Sequence, residues 1–132
     1  MKIIEGKNAI LGRLASFAAK EALQGEEIAV VNCEQIIITG NKKDIKENFE
    51  AKRTRVGSTQ KGPKVSRTSE KIVKRVIRGM LPNYRTGRGR IALKRIKCYV
   101  GVPKEYEGHK KISFENQKIQ SGKKINVKDI SK

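Results

Sequence analysis

The chain has 132 residues, a formal net charge of +18 at pH 7 and a sequence pI near 10.2. This length predicts one domain over residues 1–132, and 36% hydrophobic residues allow only a modest core. No apolar run approaches the roughly 20 residues of a membrane span, and no signal segment is visible, so we expect a soluble cytoplasmic protein.

Most of the charge lies between Ala51 and Lys104, which hold seventeen Lys or Arg and one acidic residue, Glu70. The first fifty residues hold seven basic and eight acidic side chains. Such a concentration of like charges repels itself unless a polyanion neutralises it. We therefore expect a region of about 51–104 that faces nucleic acid, and a loosely ordered, Lys-rich tail over about 115–132.

The first elements in chain order are a strand over Lys2–Glu5 and a helix from about Ala9 to Gln24. Gly25 is a typical residue to follow the end of a helix. At about 100° per residue, one side of this helix is apolar, and a different side carries two cations. The apolar side consists of Leu11, Leu14, Ala15, Ala18 and Ala22, and the cations are Arg13 and Lys20.

Two apolar runs follow, Ile28–Asn32 and Ile36–Thr39, and both read as strands buried on both faces. Gly40-Asn41 then opens a second helix that continues to about Arg55, with a narrow apolar stripe of Ile45, Phe49 and Val56. Strands and helices that alternate in this way predict a layered α/β domain.

Val56–Ser66 has the composition of an extended, basic surface loop. A third helix from about Thr68 to Met80 is strongly amphipathic, because its apolar and basic side chains occupy opposite arcs of about 140° and 100°. Four like charges on one helix face repel one another, which favours contact with a polyanion over simple solvation. The apolar arc comprises Ile72, Val73, Val76, Ile77 and Met80, and the basic arc comprises Lys71, Lys74, Arg75 and Arg78.

The remaining predictions concern the segment after Pro82. Asn83–Arg90 reads as a flexible basic loop whose glycines let the backbone approach a ligand. Ile91–Arg95 could form a short helix, and Ile96–Val102 a last strand that ends at Pro103. We expect residues 2–50 and this last strand to build the globular half of the domain, with the basic half between them.

The sequence offers little evidence for a catalytic site or a metal site. Cys33 and Cys98 stand far apart, and with the single His109 they do not supply four spaced zinc ligands, so we expect two buried thiols in a reducing cytoplasm. Gly57–Gly62 has the spacing of a phosphate loop, but Pro63 follows where the motif needs Lys and a backbone amide. No nucleophile stands beside a base, so an enzyme is unsupported.

The composition also narrows the mode of nucleic-acid binding. Six aromatic residues and no Trp argue against a base-stacking platform, and neither zinc-finger nor RNA-recognition-motif signatures occur. What remains is Lys and Arg on a helix face and on Gly-containing loops, which suits contacts with phosphates and with folded RNA shape. A membrane surface is the weaker alternative, because the basic helix has no Trp or Phe on its apolar face.

Four segments together resemble the universal large-subunit ribosomal protein thirteen family, in its archaeal and eukaryotic branch. The segments are LGRLAS (11–16), VVNCEQIIITGNK (30–42), KIVKRVIRGMLP (71–82) and GRIALKRIKCYVGVP (89–103). The resemblance covers most of residues 2–107. It implies a three-layer α/β/α fold around a mostly parallel four-stranded sheet, with basic loops and a C-terminal tail. It also implies large-subunit rRNA and neighbouring ribosomal proteins as partners, a part in early subunit assembly, and neither catalysis nor a cofactor. We expect no metal site and no small-molecule substrate.

The sequence therefore predicts a structural rRNA-binding protein. Two rivals stay open: a small nucleotide-binding or RNA-modifying α/β enzyme, and a free RNA chaperone that acts on many RNAs. The predicted RNA-binding residues are Arg53, Arg55, Lys61, Lys64, Arg67, Lys71, Lys74, Arg75, Arg78, Arg85, Arg88, Arg90, Lys94 and Arg95, with Arg13 and Lys20 as second-rank candidates.

Overall fold

The computed structural model describes residues 1–58, 61–62, 64–114 and 122–131. Within them the chain forms short strands and helices in an α/β order. The strands are β1 (Lys2–Glu5), β2 (Ile28–Val31), β3 (Ile37–Thr39), β4 (Ile96–Cys98), β5 (Lys111–Ile112) and β6 (Lys124–Asn126). The helices are α1 (Leu11–Leu23), α2 (Lys42–Thr54), α3 (Ser69–Gly79), α4 (Gly87–Arg95) and α5 (Val127–Ile130).

The main sheet has four strands in the order β4-β2-β1-β5, and every neighbouring pair is parallel. This confirms the expected α/β fold around a parallel four-stranded sheet. All four residues of β2 are buried, as its uninterrupted apolar run predicts for a central strand.

The strand around Ile37 differs from the prediction. It was expected to be buried on both faces, but β3 pairs antiparallel with β6 in a separate two-stranded sheet, and Thr39 is exposed. The chain leaves the main sheet after β2, where Asn32 takes a left-handed conformation and leads into a 3₁₀ turn over Cys33–Gln35. The fourth place in the main sheet is taken by β5 beside β1.

The larger part of the core lies between one face of the sheet and the helices. The apolar side of α1 is buried there as predicted, and Gly25, with φ of +103°, ends that helix in a conformation that glycine adopts readily. Helix α3 contributes Ile72, Val73 and Ile77 to the same core. Met80 is 42% exposed, against expectation, because the helix ends at Gly79.

The other face of the sheet carries a thinner layer. Tyr106, in a 3₁₀ turn over Lys104–Tyr106, packs with Tyr99 and Val102 against residues of β1 and β2 that point away from the helices. This irregular segment is the third layer of the fold. The last strand is therefore shorter than predicted, since β4 ends at Cys98 and the chain then crosses the sheet face.

Helices α2 and α4 also differ from the sequence predictions. Helix α2 has no buried residue, and Val56 lies outside it with 68% exposure, so the apolar stripe is limited to Ile45 and Phe49. Helix α4 begins at Gly87, so half of the expected flexible loop is helical. A Cβ atom at Gly89 would lie 1.7 Å from the Pro82 carbonyl oxygen. The glycine therefore allows helix α4 to pack against Pro82, and not the approach of a ligand as predicted.

The C-terminal segment is also more ordered than predicted. Residues 115–121 and 132 lie outside the described residues, but over 122–131 the expectation of a loose tail is wrong. Ile125, Val127 and Ile130 are buried in the main core. The Val127 amide donates to the Ile36 carbonyl at 2.9 Å. The globular core thus draws on both ends of the chain and on α3 and α4, and extends well beyond residues 2–50 and the last strand.

The two cysteines are close together although 65 positions separate them. Cys33 is buried as expected, whereas Cys98 is only half-buried, and both are free thiols. The Cys33 amide donates to the Tyr99 carbonyl at 3.2 Å. A hydrogen bond with the Cys98 side chain raises the pKa of the Cys33 thiol, and burial raises it further.

Candidate nucleic-acid interface

The basic face of α3 borders a surface depression of about 280 Å³. We call it the α3 depression, and it is lined by Lys64, Ser66, Lys71, Lys74, Arg75, Arg78 and Leu93. Burial of Ile72, Val73 and Ile77 on the opposite side fixes the rotation of the helix, which turns its four cations outward. The preceding loop adds Lys64 and the short helix α4 adds Leu93, so three separate segments meet at this surface.

These cations have no acidic partner among residues 1–58, 61–62, 64–114 and 122–131. Ion pairs within that part of the chain join Lys2 to Glu21 and Arg53 to Glu50, both away from the depression. Five like charges around one depression repel one another, and an anion bound there would relieve the repulsion. The arrangement is therefore suited to bind phosphate groups rather than to stabilise the fold.

A second basic cluster surrounds Tyr84 beyond the end of α3. The guanidinium of Arg78 lies 4.5 Å from the Tyr84 ring centroid, and that of Arg85 lies 5.5 Å from it. A hydrogen bond with Arg85 and the charges of Arg85, Arg78 and Arg75 lower the pKa of the Tyr84 hydroxyl. Tyr84 thus links the α3 depression to the basic start of α4, and stacking on its ring orients Arg78.

The start of α4 is an unusual place for arginine. Arg88 and Arg90 lie in its first turn, which contains no acidic residue, and Thr86 makes no side-chain cap. The amino end of a helix carries partial positive charge, so cations there are unfavourable unless an anion is bound nearby. Arg85, Arg88 and Arg90 are all exposed, and we therefore group them with the α3 depression as candidate phosphate contacts.

Of the remaining predicted residues, most are exposed, and two make hydrogen bonds within the protein. The exposed ones are Arg13, Lys20, Arg55, Lys61, Arg67 and Lys94. Lys20 borders a separate shallow surface near Ser16, Leu23 and Met80, between α1 and the end of α3. Lys20 therefore extends the basic surface onto α1, and neither Arg13 nor Lys20 lines the α3 depression.

The side chains of Arg53 and Arg95 donate hydrogen bonds to backbone carbonyls within the protein. The Arg53 side chain is only 6% exposed, and its Nη2 donates to the Ile130 carbonyl at 2.6 Å, which fastens α2 to α5. Nη1 of Arg95 donates to the Ala22 carbonyl at 3.2 Å, near the end of α1. The number of basic residues in the sequence does not distinguish such structural arginines from exposed ones. Because the Arg53 side chain is buried and hydrogen-bonded, we leave it out of the candidate interface.

Two residues of the surface were missed from sequence. Lys52 lies with its ammonium 5.6 Å from the Phe49 ring centroid and borders the same groove as Lys71 and Arg75. Tyr84 organises two arginines, as described above. The available signal was position: Lys52 lies inside the basic block, and Tyr84 directly precedes Arg85.

The residues that the structure describes do not bring potential metal ligands together. No three His, Cys, Asp or Glu side chains there lie close enough to hold a metal ion. His109 is exposed, and its ring contacts that of Tyr106 with the centroids 6.3 Å apart. No helix among these residues is long and apolar enough to cross a membrane.

The fold and the surface define a class of protein: a small, highly basic α/β domain whose cations gather on a helix, its preceding loop and a neighbouring helix. A sequence model of the family described as ribosomal protein L13 matches residues 1–105, and the chain belongs to that family.

Curated archaeal relatives agree with this assignment and with the expected branch. The chain is 44% identical to the large ribosomal subunit protein uL13 of Methanocaldococcus jannaschii, over all of this chain and 96% of the relative. It is 52% identical to the protein of the same name from Methanococcus maripaludis, over 78% of this chain and 77% of the relative. The corresponding protein of Methanococcoides burtonii is 38% identical over all of this chain and 96% of its own length.

Proposed function

We propose that this protein is a structural component of the large ribosomal subunit that binds large-subunit rRNA through phosphate and shape contacts and supports early subunit assembly. Membership of the ribosomal protein L13 family supports a structural, non-enzymatic role in the cytoplasm. Binding to rRNA and to neighbouring subunit proteins, and the part in assembly, are the finer elements of the proposal.

The observation that carries rRNA binding is the α3 depression. Lys64, Lys71, Lys74, Arg75 and Arg78 surround it without an acidic partner among the described residues. Arginine forks match phosphate oxygens in pairs, and lysines add mobile point charges. A rigid helix face that holds such groups fits the fixed phosphate positions of folded RNA better than a flexible basic tail would.

A charge-reversal experiment tests the proposal. The full chain and an Arg75→Glu, Arg78→Glu double variant are titrated with large-subunit rRNA by filter binding between 50 and 200 mM salt. If 6–10 phosphates are neutralised, the unaltered chain loses about 10³–10⁵ in affinity over that range. The variant should bind more weakly, with a log–log salt slope shallower by roughly 1.4–1.8 for two lost phosphates.

The matched control is Lys42→Glu, Lys43→Glu. It makes the same change in net charge at two exposed positions at the start of α2, outside the proposed interface. Circular dichroism checks that both variants fold. Equal losses in the two variants would mean that only net charge matters and would remove α3 from the contact surface.

Sedimentation separates the proposal from its rivals. A structural subunit component co-migrates with large subunits at stoichiometric level after a high-salt wash of the cell extract. A free RNA chaperone or a modifying enzyme would instead leave the subunits in the wash. That second result would contradict the proposal even if rRNA binding in vitro were tight.

A further inference from the structure

We propose that a groove between α2 and α3 holds one unstacked nucleobase of the bound RNA, an inference that rests on the proposed rRNA binding and adds a base contact to it. The groove has a volume of about 240 Å³. Its apolar lining includes Phe49, Val65, Ile72 and Val76, and its cations are Lys52, Lys71 and Arg75. We call it the base groove.

The lining of the base groove has the chemistry that a base requires. Phe49 supplies an aromatic ring that is only half-buried, since α2 buries none of its residues fully. Single-stranded bases are held by stacking on aromatic side chains and against apolar or guanidinium surfaces. Ligand sites for whole small molecules measure about 300–1,000 Å³, so this smaller groove suits one planar group of a longer chain.

The charges decide between possible occupants. The cations of the groove stand beside an apolar floor, and no acidic residue is among its described lining residues. An apolar side chain from a partner protein would leave these three cations unpaired, whereas a nucleotide brings its own flanking phosphates. The complementarity therefore favours RNA over a protein segment.

Continuity with the α3 depression gives the RNA a path into the groove. Ser66, Lys71 and Arg75 border both cavities. A backbone whose phosphates lie in the depression thus passes directly along the edge of the base groove. Lys71 and Arg75 can contact the phosphates on either side of a base that turns inward toward Phe49.

The test compares conservative variants of one residue in the full chain. Phe49→Leu keeps an apolar side chain for packing but removes the aromatic ring, and Phe49→Tyr keeps the ring. Filter binding to large-subunit rRNA should weaken by about 5- to 150-fold for leucine, the range expected for one lost base stack, and stay near the unaltered value for tyrosine. Ile91→Ala, at a 52% exposed apolar position on α4, is the matched surface control and should bind normally.

A second measurement reports on the groove directly. Adenosine 5′-monophosphate and ribose 5-phosphate are titrated separately while the methyl resonances of Val65, Ile72 and Val76 are followed by NMR. Ring currents of a bound base should shift these methyls with the nucleotide and not with the sugar phosphate. Shifts of the Lys71 and Arg75 signals with both probes, without methyl shifts from the nucleotide, would overturn the proposal.

The outcomes distinguish this inference from the proposed function. Steep, salt-dependent rRNA binding that is equally tight for Phe49→Leu leaves the proposed function standing and removes the base contact. Absence of rRNA binding by the unaltered chain removes both. Loss with leucine, retention with tyrosine and methyl shifts with the nucleotide alone support both.

Discussion

Replacing Arg53 with alanine should destabilise the fold, whereas replacing Arg55 should weaken RNA binding. The two arginines lie two positions apart at the end of α2, and the sequence does not distinguish them. In the structure the Arg53 guanidinium turns inward to the Ile130 carbonyl, while Arg55 is exposed.

The size of the effect follows from the contacts of Arg53. Its 2.6 Å hydrogen bond to the Ile130 carbonyl involves a charged donor with a side chain only 6% exposed. Such a bond contributes about 1.5–3 kcal/mol, and its removal leaves the carbonyl of α5 without this donor. The pair with Glu50 at 3.6 Å adds little, since that carboxylate is mostly exposed. We expect a loss of about 1.5–3 kcal/mol for Arg53→Ala and less than about 0.5 kcal/mol for Arg55→Ala.

Two assays on the same pair of variants check this reasoning. Urea unfolding gives the change in the free energy of unfolding, and rRNA filter binding over a salt series gives the slope. Arg53→Ala should lower stability and leave the slope unchanged, whereas Arg55→Ala should lower the slope by roughly 0.7–0.9 and leave stability unchanged. Equal stabilities of the two variants, or a reduced salt slope for Arg53→Ala, would contradict a structural role for Arg53.

Two further predictions concern the core. Ile125→Ala should cost about 2–5 kcal/mol in urea unfolding, because Ile125 is 1% exposed inside the main core, and an effect below about 0.5 kcal/mol would contradict a packed C-terminal segment. The free energy of unfolding should also fall as pH rises above about 8.5, the ordinary pKa of a thiol. The pKa of Cys33 is raised in the folded state, so the folded protein keeps a proton that the unfolded chain releases. Lys2, whose pKa a hydrogen bond with Glu21 raises, adds a decline at higher pH in every variant. Cys33→Ala should therefore decline less steeply from pH 8.5 to 10, and parallel curves would contradict a protonated Cys33.

Local patterns predicted most elements correctly because each depends on neighbours within the same segment. The opposite apolar and basic arcs of α3 follow from helical periodicity alone, and burial of Ile72, Val73 and Ile77 confirms them. The start of α4 was misread because the glycines in Gly87–Arg90 suggest a loop, whereas Gly89 is needed where the Pro82 carbonyl packs against the helix. That contact joins two segments, so no single window of sequence contains it.

The sequence predicted which helix face of the candidate site is basic, and the structure added the cavity that this face borders. The sequence located Lys71, Lys74, Arg75 and Arg78 on one helix face, and the structure brings Lys64 to the same depression. The sequence could not distinguish the buried Arg53 from the exposed cations, because the group that Arg53 contacts, the Ile130 carbonyl, lies 77 positions away. Whether the free cations bind RNA is the proposal that the charge-reversal experiment tests.

Composition and short periods along the chain were enough to predict the excess charge of residues 51–104, the layered α/β class and the two faces of α3. The parallel four-stranded sheet was implied by the family resemblance, which depends on four separate motifs in order. The tertiary structure alone decided that β3 leaves the main sheet, that the C-terminal segment completes the core, and that Cys33 meets Cys98. These outcomes depend on which distant surfaces fit together, since an apolar run can pair with any suitable edge and only packing selects the partner.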